Sequence, residues 1–497
     1  MNTRIDKKNT SFKEMAKSSG IVAFVQIAKM IFGLLRNKLI ALMIGASGFG
    51  IWSLYYTFIE MVSTFSVFGL DQGGVREIAK SSNDKESIGK CIYTFGLAIL
   101  LISFLSGLIV FILAEKISLY LFNTLEYING IRIISVVVLV YGISKGGYAI
   151  LNGVHALKYL AISQIISAIV GSLSAILLVY WGGTLGIPYA LATVIISSAI
   201  MTVFYVRKLK IKIVVPKKAE FYLRIRSLLY LGLGFTVAGL ISSVMTLQSR
   251  SFLSSHYNMD AVGIYQASWT ISNLYIGIIL SAMGIDFMPR LAKVSDDNQA
   301  MNKLINQQIE FGVALSSIGI TFILLLSPII LQILYSSEFI AGSSIIRWQV
   351  LGVALRVLAF PFSYSIMAKG KSIQYAFIQV FFWTGDYLLL MLFSHLWGFD
   401  ALGINYFVAY CFYLAFTYCA CRYNHSFAFS RNSYLVILLS AIFIIITLVV
   451  CFGIKSYWVY VVGCFIWLIQ FALTYFYVKE KMGIDILQLV RKRILKK

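Results

Sequence analysis

Positive side chains recur inside long apolar stretches of this sequence, where a charge is costly. Eight lysines and arginines are placed in this way: Lys29, Arg36, Lys38, Arg132, Lys145, Arg250, Arg347 and Arg356. Each of them would cost about 3 kcal/mol on insertion scales if it faced lipid near the middle of a bilayer. We therefore expect these cations to face a wet cavity or to reach an interface, and an excess of cations in a cavity predicts an anionic ligand.

The spacing of the polar residues indicates helices with one polar face. Three stripes follow helical periodicity: Gln26, Lys29, Gly33 and Arg36; Ser53, Thr57, Glu60 and Thr64; and Gly239, Ser243, Thr246 and Arg250. We expect these stripes to converge. The predicted substrate contacts are Lys29, Arg36, Arg250, Arg356, Arg132, Arg347 and Gln26.

An alternative stays open for the cations close to the ends of apolar stretches, because long side chains there can reach the headgroups. This alternative applies to Lys38, Arg132, Lys145, Arg250 and Arg347. Arg347 and Arg356 are nine residues apart, so they face opposite sides of a regular helix. Both can point into one cavity only if that helix is broken.

The acidic residues fall into two groups. Glu60 and Asp386 lie inside apolar stretches, where they serve either as counter-charges for the cations or as sites for a coupling proton or cation. Asp71 with Arg76 and Asp286 with Arg290 each follow an apolar stretch. These four residues are candidates for gate ion pairs, and solvated loop charges are the alternative.

Composition excludes most soluble classes. Of the 497 residues, 59% are hydrophobic and 12% are charged, with a mean hydropathy of +0.84. A soluble domain carries about 25% charged residues. The net charge of +22 fits cytoplasmic loops of a membrane protein better than a nucleic-acid partner, which would need a soluble basic domain. We find no catalytic set, no metal-ligand set and no nucleotide-binding motif.

The apolar stretches predict an all-α polytopic membrane protein with fourteen transmembrane helices. Their approximate positions are 20–45, 50–70, 91–113, 131–151, 160–180, 186–206, 228–250, 262–285, 308–327, 343–367, 372–393, 402–420, 432–453 and 457–478. This count puts most of the 42 lysines and arginines in loops on one side, which predicts that both termini are cytoplasmic. Lys116 and Lys455 are the clear exceptions.

A repeat divides the chain. Gly50, Asp71 and Arg132 correspond to Gly263, Asp286 and Arg347 at a nearly constant offset. The offset spans six predicted helices, an even number, so the two halves run in parallel. The predicted organisation is a six-helix bundle over 1–206, a basic cytoplasmic linker over 207–227, a second six-helix bundle over 228–423, and a helix pair with a basic tail over 424–497.

Several segments resemble polysaccharide-lipid flippases. They run from Gly33 to Gly45 and from Gly48 to Leu54, with Phe68 to Asp71 and Val262 to Ala267 as further matches. The chain resembles members of the multidrug/oligosaccharidyl-lipid/polysaccharide exporter superfamily, and among them Wzx-type O-antigen flippases most. The resemblance covers roughly residues 15–425.

The resemblance implies a transporter rather than an enzyme. Such flippases move undecaprenyl-pyrophosphate-linked oligosaccharide repeat units across the bacterial inner membrane by alternating access, and Arg36 matches their first-helix arginine. The implied partners are the lipid-linked oligosaccharide, membrane lipids and other polysaccharide assembly proteins, without a cofactor. Coupling to a proton gradient, a sodium gradient or the membrane potential stays open. Peptidoglycan-precursor flipping, multidrug cation antiport, and a sugar polymerase or ligase are the competing functions.

Overall fold

The computed structural model describes residues 2–81, 84–454 and 456–482. Within these ranges it describes the side chains except those of 2–23, 85, 227, 229–235, 238, 278, 282, 285, 286, 481 and 482. Every regular element in the described part of the chain is a helix, in agreement with the predicted all-α class.

Fifteen α-helices follow one another along the described chain, joined by short turns. They are α1 (Asn2–Val67), α2 (Leu70–Lys80), α3 (Lys85–Ile112), α4 (Ala114–Phe122), α5 (Ile128–Gly153), α6 (Leu157–Gly182), α7 (Ile187–Lys208), α8 (Lys218–His256), α9 (Met259–Lys293), α10 (Asn298–Leu334), α11 (Ser343–Ala368), α12 (Ser372–Trp397), α13 (Ala401–His425), α14 (Arg431–Gly453) and α15 (Trp458–Met482). Three short 3₁₀ turns precede α7, α11 and α13.

The first helix contains two of the predicted spans, separated by a kink. Gly45 has φ of 68° and ψ of −171°, a conformation that glycine adopts without a side-chain clash. The predicted boundary between the first two spans therefore coincides with a real break in the helix. This break allows the two halves of α1 to pack beside each other.

Two short helices, α2 and α4, were not predicted from the sequence. In α2 the buried residues are Leu70, Gly73, Gly74 and Ile78, and their spacing is that of one helix face. Gly69, with φ of 66°, separates α2 from α1. The helix is not interrupted at the corresponding position in the second half of the repeat. There Asp286 lies inside the continuous helix α9.

The chain divides into two compact units, Met1–Gly263 and Ile264–Lys497. The core of the first unit includes Phe95 and Ile78, and that of the second is rich in aromatic residues such as Phe382 and Tyr406. The boundary between these units lies later than the predicted end of the first bundle at residue 206. The reason is that the segment 209–217 and α8 pack against α2 and α3, as described below. The division by repeats stays a prediction.

Eight helical segments of the described residues are long and apolar enough to cross a bilayer. Two of these segments, 157–208 and 372–425, each contain two consecutive helices. The apolar character of these segments supports a multi-pass membrane protein. The count of fourteen spans and the cytoplasmic location of both termini stay predictions. The basic tail after residue 482 lies outside the described residues.

Candidate functional site

A polar cavity of about 200 Å³ lies in the first unit. It forms where the end of α1, the start of α2, α5 and α8 meet. Its lining residues are Ser63, Thr64, Val67, Gly69, Asp71, Gln72, Tyr141, Lys145 and Thr236. The cavity thus combines one cation and one carboxylate with hydroxyl and amide groups.

Lys145 is the cation of this cavity. It follows Tyr141 by one helical turn of α5, and its Nζ lies 5.4 Å from the centre of the Tyr141 ring. The charges of Asp71 and Glu60 also act on this ammonium group. The sequence places Lys145 toward the end of an apolar stretch, where contact with a headgroup is the alternative. The row of polar residues Tyr141, Lys145 and Tyr148 on α5 is the sequence signal for its position in the cavity.

Arg36 lies next to the second half of α1 because of the kink at Gly45. Its guanidinium carbon is 5.3 Å from the centre of the Trp52 ring, and its Nη2 donates to Asn37 Oδ1 at 3.2 Å. Arg36 also acts electrostatically on Tyr56. The Tyr56 hydroxyl donates to Glu60 Oε1 at 2.8 Å, so Tyr56 connects this cation to the acid.

Lys29 completes the group. It lies on the same helix face as Arg36, and Lys145 is close enough to repel it. We call Lys29, Arg36, Tyr56, Glu60, Asp71, Tyr141 and Lys145 the N-terminal charge cluster. Its three cations outnumber its two carboxylates. A net positive arrangement of this kind attracts an anion, because an anion replaces cation repulsion by attraction.

Arg250 is part of the same unit but has a different environment. It is 4% exposed, and its Nε donates to Ser53 Oγ at 3.0 Å while its Nη1 donates to the Thr246 carbonyl at 3.3 Å. Thr64 and Ser243 lie 3.3 Å apart between the same two helices. The polar stripes of α1 and α8 therefore do meet, but along a packed helix contact.

Three other predicted substrate contacts, Arg132, Arg347 and Gln26, have different surroundings. Arg132 is exposed, with its guanidinium carbon 5.6 Å from the centre of the Phe111 ring. Arg347, in the second unit, lies 5.4 Å from the centre of the Phe452 ring, and its Nε is buried without a hydrogen-bond partner in the described part of the chain. Gln26 is exposed on α1.

In the second unit Arg356 and Asp386 have separate partners. Arg356 Nη1 donates to Asn273 Oδ1 at 2.8 Å. Asp386 is buried and accepts from Asn405 Nδ2 at 2.9 Å. Arg347 and Arg356 contact different helices, α14 and α9, as expected for residues on opposite sides of an unbroken α11.

The predicted gate residues are only partly described. Asp71 lines the polar cavity, and its side chain accepts from the Gln72 backbone at 2.9 Å. Arg76 and Arg290 are exposed, and Asp71 is not ion-paired with Arg76 in this conformation. The side chain of Asp286 lies outside the described residues. The gate pairs stay predictions.

Comparison with known proteins assigns the chain to a family. Residues 15–295 match the family model described as "Polysaccharide biosynthesis protein", which is more than half of the chain. The chain belongs to this family. Together with the apolar helices, membership of this family confirms the prediction of a multi-pass membrane protein. A location in the bacterial inner membrane is consistent with the relatives described next.

The relatives of this family member are transporters. The chain is 26% identical over 410 residues to proteins named "Lipid III flippase" from Escherichia coli (strain K12) and from Shigella flexneri. The aligned region covers 78% of this chain and 92% of each relative. Its fold resembles a structure of the lipid II flippase MurJ, with a TM-score of 0.72 and 15% identity over 93% of this chain and 100% of the other.

A multidrug transporter of the MATE family has a similar fold as well. Its inward-facing structure superposes with a TM-score of 0.69 and 14% identity, covering 81% of this chain and 98% of the other. At these identities the two structures support the fold of the superfamily predicted from sequence.

Proposed function

We propose that this protein is a flippase for undecaprenyl-pyrophosphate-linked oligosaccharide repeat units, of the kind used for O-antigen or a similar surface polysaccharide. The observation that supports this function is the net positive N-terminal charge cluster. A pyrophosphate cannot cross hydrocarbon unaided, because removing its water costs many kcal/mol. Ammonium and guanidinium groups replace that water with charge-assisted hydrogen bonds.

In this proposal Lys29, Arg36 and Lys145 contact the pyrophosphate, while Glu60 and Asp71 limit the repulsion among them. Arg250 holds α8 against α1. The glycan stays in a polar environment and the polyprenyl chain stays in lipid while access alternates between the two sides of the membrane. No covalent bond changes, so the proposal needs no catalytic residue.

The coupling ion is a further open part of the proposal. Glu60 has cationic neighbours in the charge cluster, which suits a counter-charge. Asp386 has the neutral partner Asn405, which suits a site for a coupling proton or cation. A proton gradient, a sodium gradient and the membrane potential all stay compatible with this proposal.

Two alternatives have specific support. The MurJ-like fold extends over nearly the whole chain, which favours a peptidoglycan lipid precursor as the second candidate substrate. The MATE-like fold favours a multidrug cation antiporter, but the net positive charge cluster has the same sign as that cargo and would repel it.

The test is flipping of a fluorescent undecaprenyl-pyrophosphate oligosaccharide in proteoliposomes, measured by dithionite quenching of the exposed leaflet. We expect the double variant Arg36→Gln/Lys145→Gln to lower the rate at least about tenfold, because each charged hydrogen bond is worth about 1.5–3 kcal/mol. Arg36→Lys/Lys145→Arg should retain most activity, and Lys116→Gln on α4 is the control. Normal flipping by the neutral double variant would contradict the proposed role of these cations.

The same vesicles separate the candidate substrates. Faster flipping of a lipid-linked peptidoglycan precursor than of the repeat unit would favour the second candidate. Uptake of an organic cation with no flipping of either lipid would favour the antiporter.

A further inference from the structure

A row of tyrosines occupies one face of α13 in the second unit. Tyr406, Tyr410 and Tyr413 follow each other at one-turn spacing, with ring centres 4.8 Å and 5.6 Å apart. All three side chains are buried. Phe382 of α12 lies behind the row, 4.6 Å from the Tyr410 ring centre.

Polar groups of α12 lie over one end of this row and are only half-buried. Gln379 Nε2 donates to the Tyr375 hydroxyl at 2.7 Å and to the Tyr413 hydroxyl at 3.3 Å. Ser363 of α11 lies 2.8 Å from the same Tyr413 hydroxyl. An amide and three hydroxyl groups are thus concentrated in one place.

A second polar group covers the other end of the row. Arg356 donates to Asn273 Oδ1 at 2.8 Å, and the Tyr406 hydroxyl donates to the same oxygen at 3.5 Å. The Trp269 ring meets the Tyr406 ring edge-on at 5.2 Å. Among the described residues no carboxylate forms an ion pair with Arg356. We call Asn273, Arg356, Tyr375, Gln379, Tyr406 and Tyr413 the tyrosine patch.

The tyrosine patch contains more polar groups than helix packing requires. A membrane protein can fill space between α11, α12 and α13 with leucine and phenylalanine alone. An amide, a guanidinium and several hydroxyls at membrane depth are expensive and usually face a polar ligand or a wet path. Binding sites for organic ligands combine aromatic surfaces with a few placed polar groups in this way.

We infer that the tyrosine patch binds the sugar rings of the lipid-linked substrate, an inference that rests on the proposed function. A sugar ring presents an apolar C–H face, which packs on aromatic rings, and the rings of Tyr375 and Trp269 are only partly buried. Its hydroxyl groups both donate and accept hydrogen bonds, which suits the amides of Asn273 and Gln379 and the hydroxyl of Tyr375. Arg356 supplies donors in a fixed planar arrangement for ring oxygens or an acidic sugar.

The glycan is the part that differs among substrates of this class, whereas the pyrophosphate is shared by all of them. Glycan selectivity should therefore depend on residues of α11, α12 and α13.

The experiment compares two fluorescent substrates in proteoliposomes. One carries the complete oligosaccharide repeat unit on undecaprenyl pyrophosphate, and the other carries a single sugar on the same lipid. For Tyr375→Phe and for Gln379→Leu we expect the oligosaccharide lipid to flip about fivefold more slowly. Each variant removes about one hydrogen bond to the glycan, and the loss of one hydrogen bond has an effect of this size. The single-sugar lipid should change less than about twofold. Tyr418→Phe is the control for loss of a tyrosine hydroxyl, because Tyr418 lies on α13 outside the tyrosine patch and stacks on Phe429.

Each outcome distinguishes this inference from the proposed function. An equal loss of flipping for both lipids in the patch variants would mean that the patch stabilises the fold. Unchanged flipping of both lipids would mean that the patch does not contact the glycan. Either result overturns the inference. If the unmodified protein flips neither lipid, the proposed function fails and the inference fails with it. Arg36→Gln/Lys145→Gln should slow both lipids alike.

Discussion

Two glycines that correspond in the sequence repeat contact each other in the structure. Gly50 of α1 lies against the Met259 carbonyl and the Gly263 backbone, and Gly263 lies against the Ala46 carbonyl. A Cβ atom at either position would overlap the facing carbonyl oxygen. Small residues allow helix backbones to approach this closely in membranes. The repeat pair is therefore explained by packing at this helix crossing rather than by chemistry.

Gly50→Ala tests this packing. The new methyl group must displace the α9 backbone, so we expect the free energy of unfolding to fall by about 1–3 kcal/mol. The measurement is thermal unfolding in detergent. Gly96→Ala in α3 is the matched control, because nothing lies within 4 Å of a Cβ built at Gly96 and alanine is the better helix former by about 1 kcal/mol. Equal stability of both variants would contradict the close contact.

At the scale of elements, the segment 209–217 and the start of α8 are packed parts of the first unit. Leu209 and Ile211 contact the core around Phe95, and the Lys212 carbonyl lies directly against Gly89 of α3. Arg224 Nη2 donates to Ser87 Oγ at 3.1 Å. The sequence shows the charge of this segment but not the surface that it covers.

An ion pair at this contact predicts a pH dependence. Lys90 Nζ lies 3.3 Å from Glu220 Oε2, and this interaction with Lys90 lowers the pKa of the Glu220 carboxyl group below its ordinary value. A lowered pKa means that the contribution to stability is present above the unfolded-state pKa, about 4.3. The contribution is lost as the pH falls through the lower folded-state value.

We therefore expect Glu220→Gln to lower the melting temperature slightly at pH 7 and to leave it unchanged near pH 3. Thermal unfolding in detergent at both pH values measures this difference. Glu115→Gln on the exposed helix α4 should show no such pH-dependent difference. A difference between Glu220→Gln and the unmodified protein that persists at the lower pH would contradict this role of the ion pair.

At the scale of the whole molecule, the distribution of charge predicts the orientation in the membrane. Lys116 is exposed on α4, and Lys210 lies in the basic segment before α8. The fourteen-span topology places Lys116 outside and Lys210 in the cytoplasm. An odd number of spans between the two residues would leave them on opposite sides, as predicted; an even number would leave them on the same side.

Cysteine labelling tests the topology. With Cys411, Cys419 and Cys464 replaced by serine, we expect Lys116→Cys to react with a membrane-impermeant maleimide in intact spheroplasts. Lys210→Cys should react only after permeabilisation, because the bilayer separates it from the reagent. Equal labelling of both positions in intact spheroplasts would exclude the predicted topology.

The amino-acid sequence by itself determined the helical class, the boundary between the first two predicted spans and the polar stripes of α1 and α8. These features follow from the local periodicity of polar and apolar residues and from the high cost of polar groups in lipid. Both can be seen in a single stretch of sequence, without knowledge of the residues that pack against it. Only the tertiary structure distinguished buried Arg250 from Arg36, brought Lys145 and Asp71 to one cavity, and assembled the tyrosine patch from α9, α11, α12 and α13. The physical reason is that helical spacing specifies the face on which a side chain lies, whereas its partners depend on which helices pack against that face.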